Sequence, residues 1–274
     1  MIYVLSLNSI KLSIKKMLFK LFILFIIPYT FYNCSFSDDI ENTSSLFISE
    51  ENSLYPVDLM YFSQDFYLAV RYEDPLSAYI DTLSKIDANK LEVDLDSHNK
   101  KLAFWINIYN SLVQVKILSN ENSFKDQNKF FKTKDLIIAG IPVSLDELEH
   151  GILRLQNYDN VLVKRFKLDS LDYRIHFTMN CGATSCPAIA YYKSETIQED
   201  LSNAENSFIV QNSVYDSLTN IIETSELIKW FKDDFGGDEG IYNIMINNGV
   251  ILQNSSPKIK FKAYNWDLKS RNYH

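Results

Sequence analysis

The stretch Leu102-Ala-Phe-Trp-Ile-Asn-Ile-Tyr-Asn-Ser-Leu-Val-Gln-Val115 contains no charged residue. A helix on the surface of a soluble domain carries charges on its outer face, so this composition predicts a helix that is buried nearly all round. On a period of 3.6 residues, four polar side chains form one narrow stripe: Asn107, Asn110, Ser111 and Gln114. Buried polar groups need hydrogen-bond partners, so the stripe is predicted either to line a site or to bind the backbone of a neighbouring loop.

Local signals around this helix predict further helices and a small sheet. Ser97 is placed to cap the buried helix, and Ser144 followed by Glu147 has the spacing of a capping box. Two short apolar runs flank Ala139-Gly140 and are predicted to be short strands. Residues 172–179 alternate polar and apolar side chains, which predicts a longer strand. The pattern indicates an α+β fold: one domain, with several helices packed around a small, mostly antiparallel sheet.

Composition narrows the classes of function. The chain has 274 residues, is 46% hydrophobic and contains 18 Phe and 17 Tyr, which is enough apolar material for a substantial core. Its net charge is −8, and no basic stripe follows the first 20 residues, so the sequence predicts no nucleic-acid partner. With seven Gly and no glycine-rich phosphate-binding motif, it also predicts no nucleotide and no other cofactor.

The amino-terminal region is typical of an export signal. Several lysines precede a short apolar run at residues 21–27, which is too short to cross a bilayer but suits a signal peptide. Cys34 lies where a lipoprotein signal places its acylated cysteine, and an acidic, polar stretch follows at residues 35–45. We therefore predict a signal segment (1–34), a tether (35–45), a globular domain (46–274) and a lipid anchor in the cell envelope. An uncleaved membrane helix, or a periplasmic or secreted protein, is the alternative.

The scarce reactive side chains are concentrated in Ile175-His-Phe-Thr-Met-Asn-Cys-Gly-Ala-Thr-Ser-Cys-Pro187. Alternation along a strand would place His176 on the polar face that leads into a loop with two cysteines. Cys186 precedes Pro187, which could begin a helical turn whose positive end lowers the pKa of the thiol. Cys181 follows the strand directly and is expected to be more packed.

Three interpretations of the two cysteines stay open. One is a thiol nucleophile served by an imidazole, and another is a Cys181–Cys186 disulfide, which export would permit. A zinc site is the third, but the paired C-x-x-C spacing is missing, so no metal is predicted. Buried cysteines without a function are the remaining possibility. Glu149 and His150 are adjacent on their helix, where a solvated or interface face is the default interpretation.

Together these segments resemble the family known as domain of unknown function 547. The resemblance is carried by Ala103-Phe-Trp-Ile-Asn-Ile-Tyr-Asn110, Leu148-Glu-His-Gly-Ile-Leu-Arg154, the stretch from Ile175 to Pro187, and Tyr264-Asn-Trp-Asp267. It implies a shared fold and one functional neighbourhood, without assigning a reaction. The residues of that neighbourhood are Asn107, Asn110, Glu149, His150, His176, Cys181 and Cys186.

The leading functional hypothesis is a thiol-dependent hydrolase or acyl-transferase acting on peptide-like or amide substrates. Cys186 would be the nucleophile and His176 the general base, oriented by Asn107, Asn110 or Glu149, with His150 nearby. The residues predicted to bind substrate are Tyr109, Asn180, Cys181 and Arg154. The alternative is a non-catalytic lipoprotein that binds a ligand or partner and has its two cysteines paired.

Overall fold

The structure, a computed structural model, describes residues 58–273. The predicted signal segment (1–34), the tether (35–45) and residues 46–57 lie outside the described part. The α-helices are α1 Leu59–Tyr72, α2 Ser77–Lys85, α3 Ala88–Asp94, α4 His98–Ser119, α5 Gln127–Lys132, α6 Val161–Phe166, α7 Ile197–Asn212, α8 Glu226–Trp230 and α9 Gly237–Asn247. Two 3₁₀ turns, Glu121–Lys125 and Tyr173–Phe177, and one π-helix, Glu147–Leu153, complete the helical part. The strands are β1 Leu136–Ile138, β2 Ile141–Val143, β3 Val214–Asp216, β4 Ile221–Ser225 and β5 Lys258–Lys262.

Helix α4 contains the uncharged stretch and forms the centre of the larger core. Ser97 caps it as predicted, since its hydroxyl accepts a hydrogen bond from the backbone N–H of Lys100 at 3.3 Å. Every residue from Leu102 to Gln114 is buried, which confirms the prediction of a helix covered on all sides. Helix α1 packs along it through Phe62, Phe66 and other apolar side chains. Burial on this scale is the main source of the domain's stability.

The strands form two small sheets. β1 and β2 are the two predicted short strands, and they pair antiparallel through a two-residue turn in which Ala139 (φ 51°) and Gly140 (φ 73°) both adopt positive φ. β4 pairs antiparallel with β3 and parallel with β5. The second core lies against this three-stranded sheet and is built from Phe177 and apolar side chains of β4, α8 and α9. Most pairings are antiparallel, and the predicted α+β fold is confirmed.

The predicted capping box at Ser144 begins a π-helix. Glu147 N–H donates to Ser144 Oγ at 3.1 Å, and Ser144 N–H donates to Glu147 Oε2 at 3.0 Å. Gly151 lies where this helix approaches α6, because a Cβ there would stand 2.8 Å from Val163 Cγ1. The wider π turn sets the direction in which Glu149 and His150 project.

The predicted strand at residues 172–179 is wrong. Asp172 accepts a hydrogen bond from the backbone N–H of Arg174 at 3.0 Å and starts the 3₁₀ turn Tyr173–Phe177. His176 and Phe177, which a strand would point in opposite directions, are 2% and 1% exposed. Both His176 and Phe177 are therefore buried. The alternation of polar and apolar residues in this segment does not separate a buried face from an exposed face.

Among residues 58–273, no helix is long and apolar enough to cross a membrane.

Candidate functional site

Cys181 and Cys186 are joined by a disulfide bond, with their Cα atoms 6.0 Å apart. While this bond is intact neither sulfur is a free thiol, so a nucleophile at Cys186 would require reduction first. The predicted helical turn at Pro187 is wrong, because the chain continues there as an extended segment in which Ile189 pairs with Tyr273.

Asn110 fixes the segment that enters the cysteine loop. Its Nδ2 donates to the carbonyl of Thr178 at 2.9 Å, and its Oδ1 accepts from the backbone N–H of Asn180 at 2.9 Å. Asn180 in turn donates from Nδ2 to the Pro187 carbonyl at 2.6 Å and accepts from the Gly182 N–H at 2.8 Å. Both amide side chains are completely buried, so they position the loop instead of touching a ligand.

Two other members of the polar stripe, Asn107 and Gln114, bind different segments, whereas the Ser111 hydroxyl has no hydrogen-bond partner among residues 58–273. Asn107, predicted beside the cysteine loop, instead bonds both the carbonyl and the N–H of Tyr192, each at 2.8 Å, and donates to Ser63 at 3.2 Å. Gln114 accepts from the backbone N–H of Arg271 at 3.0 Å. The stripe had to satisfy several extended segments packed around α4, which is why it does not face one loop alone.

A pocket of about 320 Å³ brings together half of the ten residues predicted as catalytic or binding. We call it the aromatic pocket. Its walls include five of them: Tyr109, Glu149, His150, His176 and Cys181. Cys186 borders a different, more polar cavity of about 310 Å³, so the disulfide lies between the two. The larger groove beside α2 and α5 contains none of the predicted residues.

Asp234 connects the two histidines through Arg154. His176 Nε2 donates to Asp234 Oδ2 at 2.8 Å, and Arg154 Nε donates to the same oxygen at 2.6 Å. Arg154 Nη1 also donates to His150 Nδ1 at 2.8 Å. A guanidinium has no acceptor, so Nδ1 of His150 accepts this hydrogen bond. Arg154 was predicted to bind substrate. In the structure it instead holds Asp234 and His150 in place by hydrogen bonds.

Burial lowers the pKa of His176 below its ordinary value, although the hydrogen bond to Asp234 acts in the opposite direction. Burial would raise the pKa of Asp234, but the hydrogen bonds from His176 and Arg154 outweigh it and lower that pKa to about 2. Asp234 is thus the charged partner and His176 is neutral, stacked 3.9 Å from the ring of Phe231. Its Nδ1 finds no hydrogen-bond partner among residues 58–273.

Two carboxylates of the pocket are each held by one tyrosine. Tyr109 donates to Glu149 Oε2 at 2.6 Å, and Tyr158 donates to Asp146 Oδ2 at 2.5 Å. Burial, reinforced by these carboxylates, raises the pKa of both tyrosines, so each hydroxyl stays protonated and continues to donate. The second oxygen of each carboxylate accepts no hydrogen bond within residues 58–273; the nearest imidazole nitrogens are 3.8 Å and 3.9 Å away.

Three aromatic rings pack against one another at the rim of the aromatic pocket. Trp230 stacks on Trp266 with ring centroids 5.7 Å apart, and Tyr264 packs against both at 4.7 Å and 4.8 Å. Trp230 is 42% and Trp266 is 37% exposed. Large exposed rings beside a cavity are typical of a binding surface.

Residues 93–209 match the family model described as "protein of unknown function, DUF547". The chain carries a domain of this family. No curated protein and no solved structure gives a significant match to the chain. The DUF547 match covers the buried helix, the π-helix and the cysteine loop, which are three of the four segments that carried the resemblance; Tyr264–Asp267 lies outside it.

Several residues of the pocket and its wall lie beyond the DUF547 match and were not predicted as site residues: Trp230, Phe231 and the aromatic pair Tyr264 and Trp266, which line the pocket, and Asp234, which binds His176. Asp234 lies 58 positions from His176 along the chain, and only tertiary packing joins them. The Tyr264-Asn-Trp-Asp267 motif was the one sequence signal for part of this group. Asp146 was missed because its position in a capping-box turn gave it a purely structural explanation.

Proposed function

We propose that this protein is an exported, lipid-anchored binding protein whose aromatic pocket takes a peptide-like ligand with a positively charged amine. The observation that carries the proposal is the pairing of two tyrosine-held carboxylates, Asp146 and Glu149, with exposed aromatic rings in one pocket. A cation is attracted both to carboxylates and to the faces of aromatic rings. The paired cysteines agree with a binding role, since no free thiol is needed.

The carboxylates are prepared to accept an amine. Each uses one oxygen for a tyrosine hydroxyl and keeps the other available, so ligand binding requires no rearrangement of the side chain. Their side chains are about 15% exposed, so a hydrogen bond formed there is shielded from water and strengthened. Lys132 also borders the pocket and offers a partner for a peptide carbonyl or carboxylate.

A hydrolase acting through Cys186 stays a prediction that applies to the reduced protein alone. Its chemical support is the Asp234–His176 pair, in which a carboxylate orients an imidazole whose other nitrogen is unbonded within the described residues. Export and lipid attachment at Cys34 are supported by the lysine-rich leader and the short apolar run.

Intrinsic fluorescence tests ligand binding, because two of the three tryptophans, Trp230 and Trp266, lie at the rim whereas Trp105 is buried. A tripeptide with a free amino terminus should change the emission and bind about tenfold more tightly than its N-acetylated form. Glu149→Gln should remove most of this difference, because the amide no longer offers a negative charge.

The matched control is Glu195→Gln, which removes a carboxylate that does not border the pocket. Equal affinity of the free and acetylated peptides for the unmodified protein would contradict the proposed ligand class. An unchanged difference in Glu149→Gln would assign the amine to another group.

A further inference from the structure

The two sulfurs of the disulfide have different surroundings. Cys181 is partly exposed and lines the aromatic pocket, whereas Cys186 is 6% exposed and lies behind it. A molecule that enters the aromatic pocket therefore meets Cys181 first. In thiol–disulfide exchange, the sulfur that is attacked must be accessible and the other sulfur must leave as a thiolate.

Three hydrogen-bond donors converge on Cys186 Sγ. The backbone N–H of Cys181 lies 3.1 Å from it, that of Ala183 lies 3.4 Å away, and the Tyr264 hydroxyl lies 3.1 Å away. Gly182, between the two N–H groups, has a φ of +88°, which turns the chain so that both donors reach one sulfur. Donors aimed at a sulfur favour its thiolate form.

The Tyr264 hydroxyl is suited to this contact. Burial and the charge of Glu149 raise the pKa of Tyr264, so the hydroxyl keeps its proton and can donate to an anion. Cys181 Sγ, by contrast, is 3.3 Å from the Tyr264 hydroxyl and receives no backbone N–H within the described residues. The surroundings therefore favour Cys186 as the sulfur that leaves as a thiolate and Cys181 as the sulfur that is attacked.

We propose that the Cys181–Cys186 pair carries out thiol–disulfide exchange with a thiol-bearing molecule that enters the aromatic pocket. The incoming thiolate attacks Cys181 Sγ, the S–S bond breaks, and its electron pair goes to Cys186, which leaves as a thiolate. The product is a mixed disulfide on Cys181. A second thiol attacks the incoming sulfur, releases an oxidised thiol pair and leaves both cysteines reduced. Two thiols are oxidised, and the protein disulfide accepts their two electrons.

Trapping the mixed disulfide tests the order of events. The full-length oxidised protein is mixed with reduced glutathione as the probe, quenched with acid, and mapped by mass spectrometry of its peptides. The adduct is expected on Cys181, with Cys186 as the free thiol. An adduct found first on Cys186 would overturn the assignment. Reduction that occurs only as fast as the protein unfolds would also overturn it, because the disulfide would then be purely structural.

A pair of tyrosine variants tests the role of the donors. Tyr264→Phe removes the hydroxyl from the leaving sulfur and should slow reduction by glutathione about tenfold. Tyr242→Phe is the matched control, because its hydroxyl binds the Pro257 carbonyl at 2.7 Å and does not touch either sulfur. Near-ultraviolet circular dichroism checks that both variants are folded. Equal reduction rates in the two variants would show that Tyr264 does not assist, and the adduct map still decides the exchange itself.

Discussion

Asp234 binds one imidazole of the pocket wall, that of His176. It provides one negative charge, and Arg154 provides one positive charge, so the pair is balanced without a charge on His176. Arg154 also lies 4.5 Å above the ring of Phe231, which holds the guanidinium in place. Adding a proton to the buried His176 would put a net positive charge beside this balanced ion pair. The cost in free energy can be measured as a change in stability with pH.

The free energy of unfolding should fall as the pH drops below about 6.5, where the unfolded chain takes up a proton on His176. Because the folded protein holds His176 at a lowered pKa, the stabilisation is complete above that pH and is lost below it. Each unit of pKa difference is worth about 1.4 kcal/mol. His176→Gln should therefore reduce the loss of stability between about pH 7.5 and about pH 5.5.

Urea unfolding at the two pH values measures the effect, and His98→Gln is the control because it removes an imidazole from outside the pocket. The contribution of Asp234 does not overlap, since its pKa of about 2 lies well below this range. The same loss of stability in His176→Gln and in the unmodified protein would exclude His176 as the source.

At the scale of elements, helix α4 holds two separate segments by side-chain amides. Asn110 binds the entry to the cysteine loop, and Asn107, one turn earlier, binds the segment at Tyr192. Each amide replaces a missing backbone partner for one carbonyl and one N–H group. The two residues are equally buried on the same helix, so they can be compared directly.

Asn110→Leu and Asn107→Leu should each lower the free energy of unfolding by about 2–4 kcal/mol, because each leaves two buried backbone groups without partners. Only Asn110→Leu should also weaken ligand binding to the aromatic pocket, since it loosens the loop that carries Cys181. Urea unfolding and the tryptophan titration measure the two effects. A loss of affinity in Asn107→Leu as large as that in Asn110→Leu would contradict this division.

Local signals predicted the elements well, and long-range packing explains the failures. Ser97, the Ser144–Glu147 box and the Ala139-Gly140 turn were read correctly because each is satisfied within a few residues. The strand predicted at residues 172–179 was wrong because the polar and apolar residues of this turn are buried alike, so their alternation marks no exposed face. The pocket was half predicted: its DUF547 motifs were found, whereas Asp234 and Trp230 carry no local signal for a role that depends on distant partners.

At the scale of the whole molecule, the proposed anchor and the pocket suggest a binding domain held at a membrane surface. The acidic, polar stretch at residues 35–45 would be the tether between anchor and domain. A single acyl chain binds a membrane only weakly, so durable attachment needs more than one chain.

Lipid attachment at Cys34 should be visible when the chain is expressed in a bacterium fed labelled palmitate. The label should appear on the unmodified protein and be absent from Cys34→Ser, which cannot be acylated at that position. Cys181→Ser is the control, because it removes a different cysteine and should keep the label. Label that persists in Cys34→Ser would refute the assignment.

The cysteine loop owes much of its backbone pairing to residues far along the chain. Thr184 N–H bonds to the Asp267 carbonyl at 2.8 Å, Ser185 N–H to the Asn265 carbonyl at 3.2 Å, and Lys269 N–H to the Gly182 carbonyl at 2.8 Å. Contacts across some 80 residues carry a large loop-closure entropy and form late in folding. During synthesis, α4 and the π-helix can therefore pack together before residues 264–269, which supply the loop's hydrogen-bond partners, have been made. A folding intermediate should then have a nearly complete core and an open pocket, exposing the loop to chaperones and oxidants before the tail closes over it.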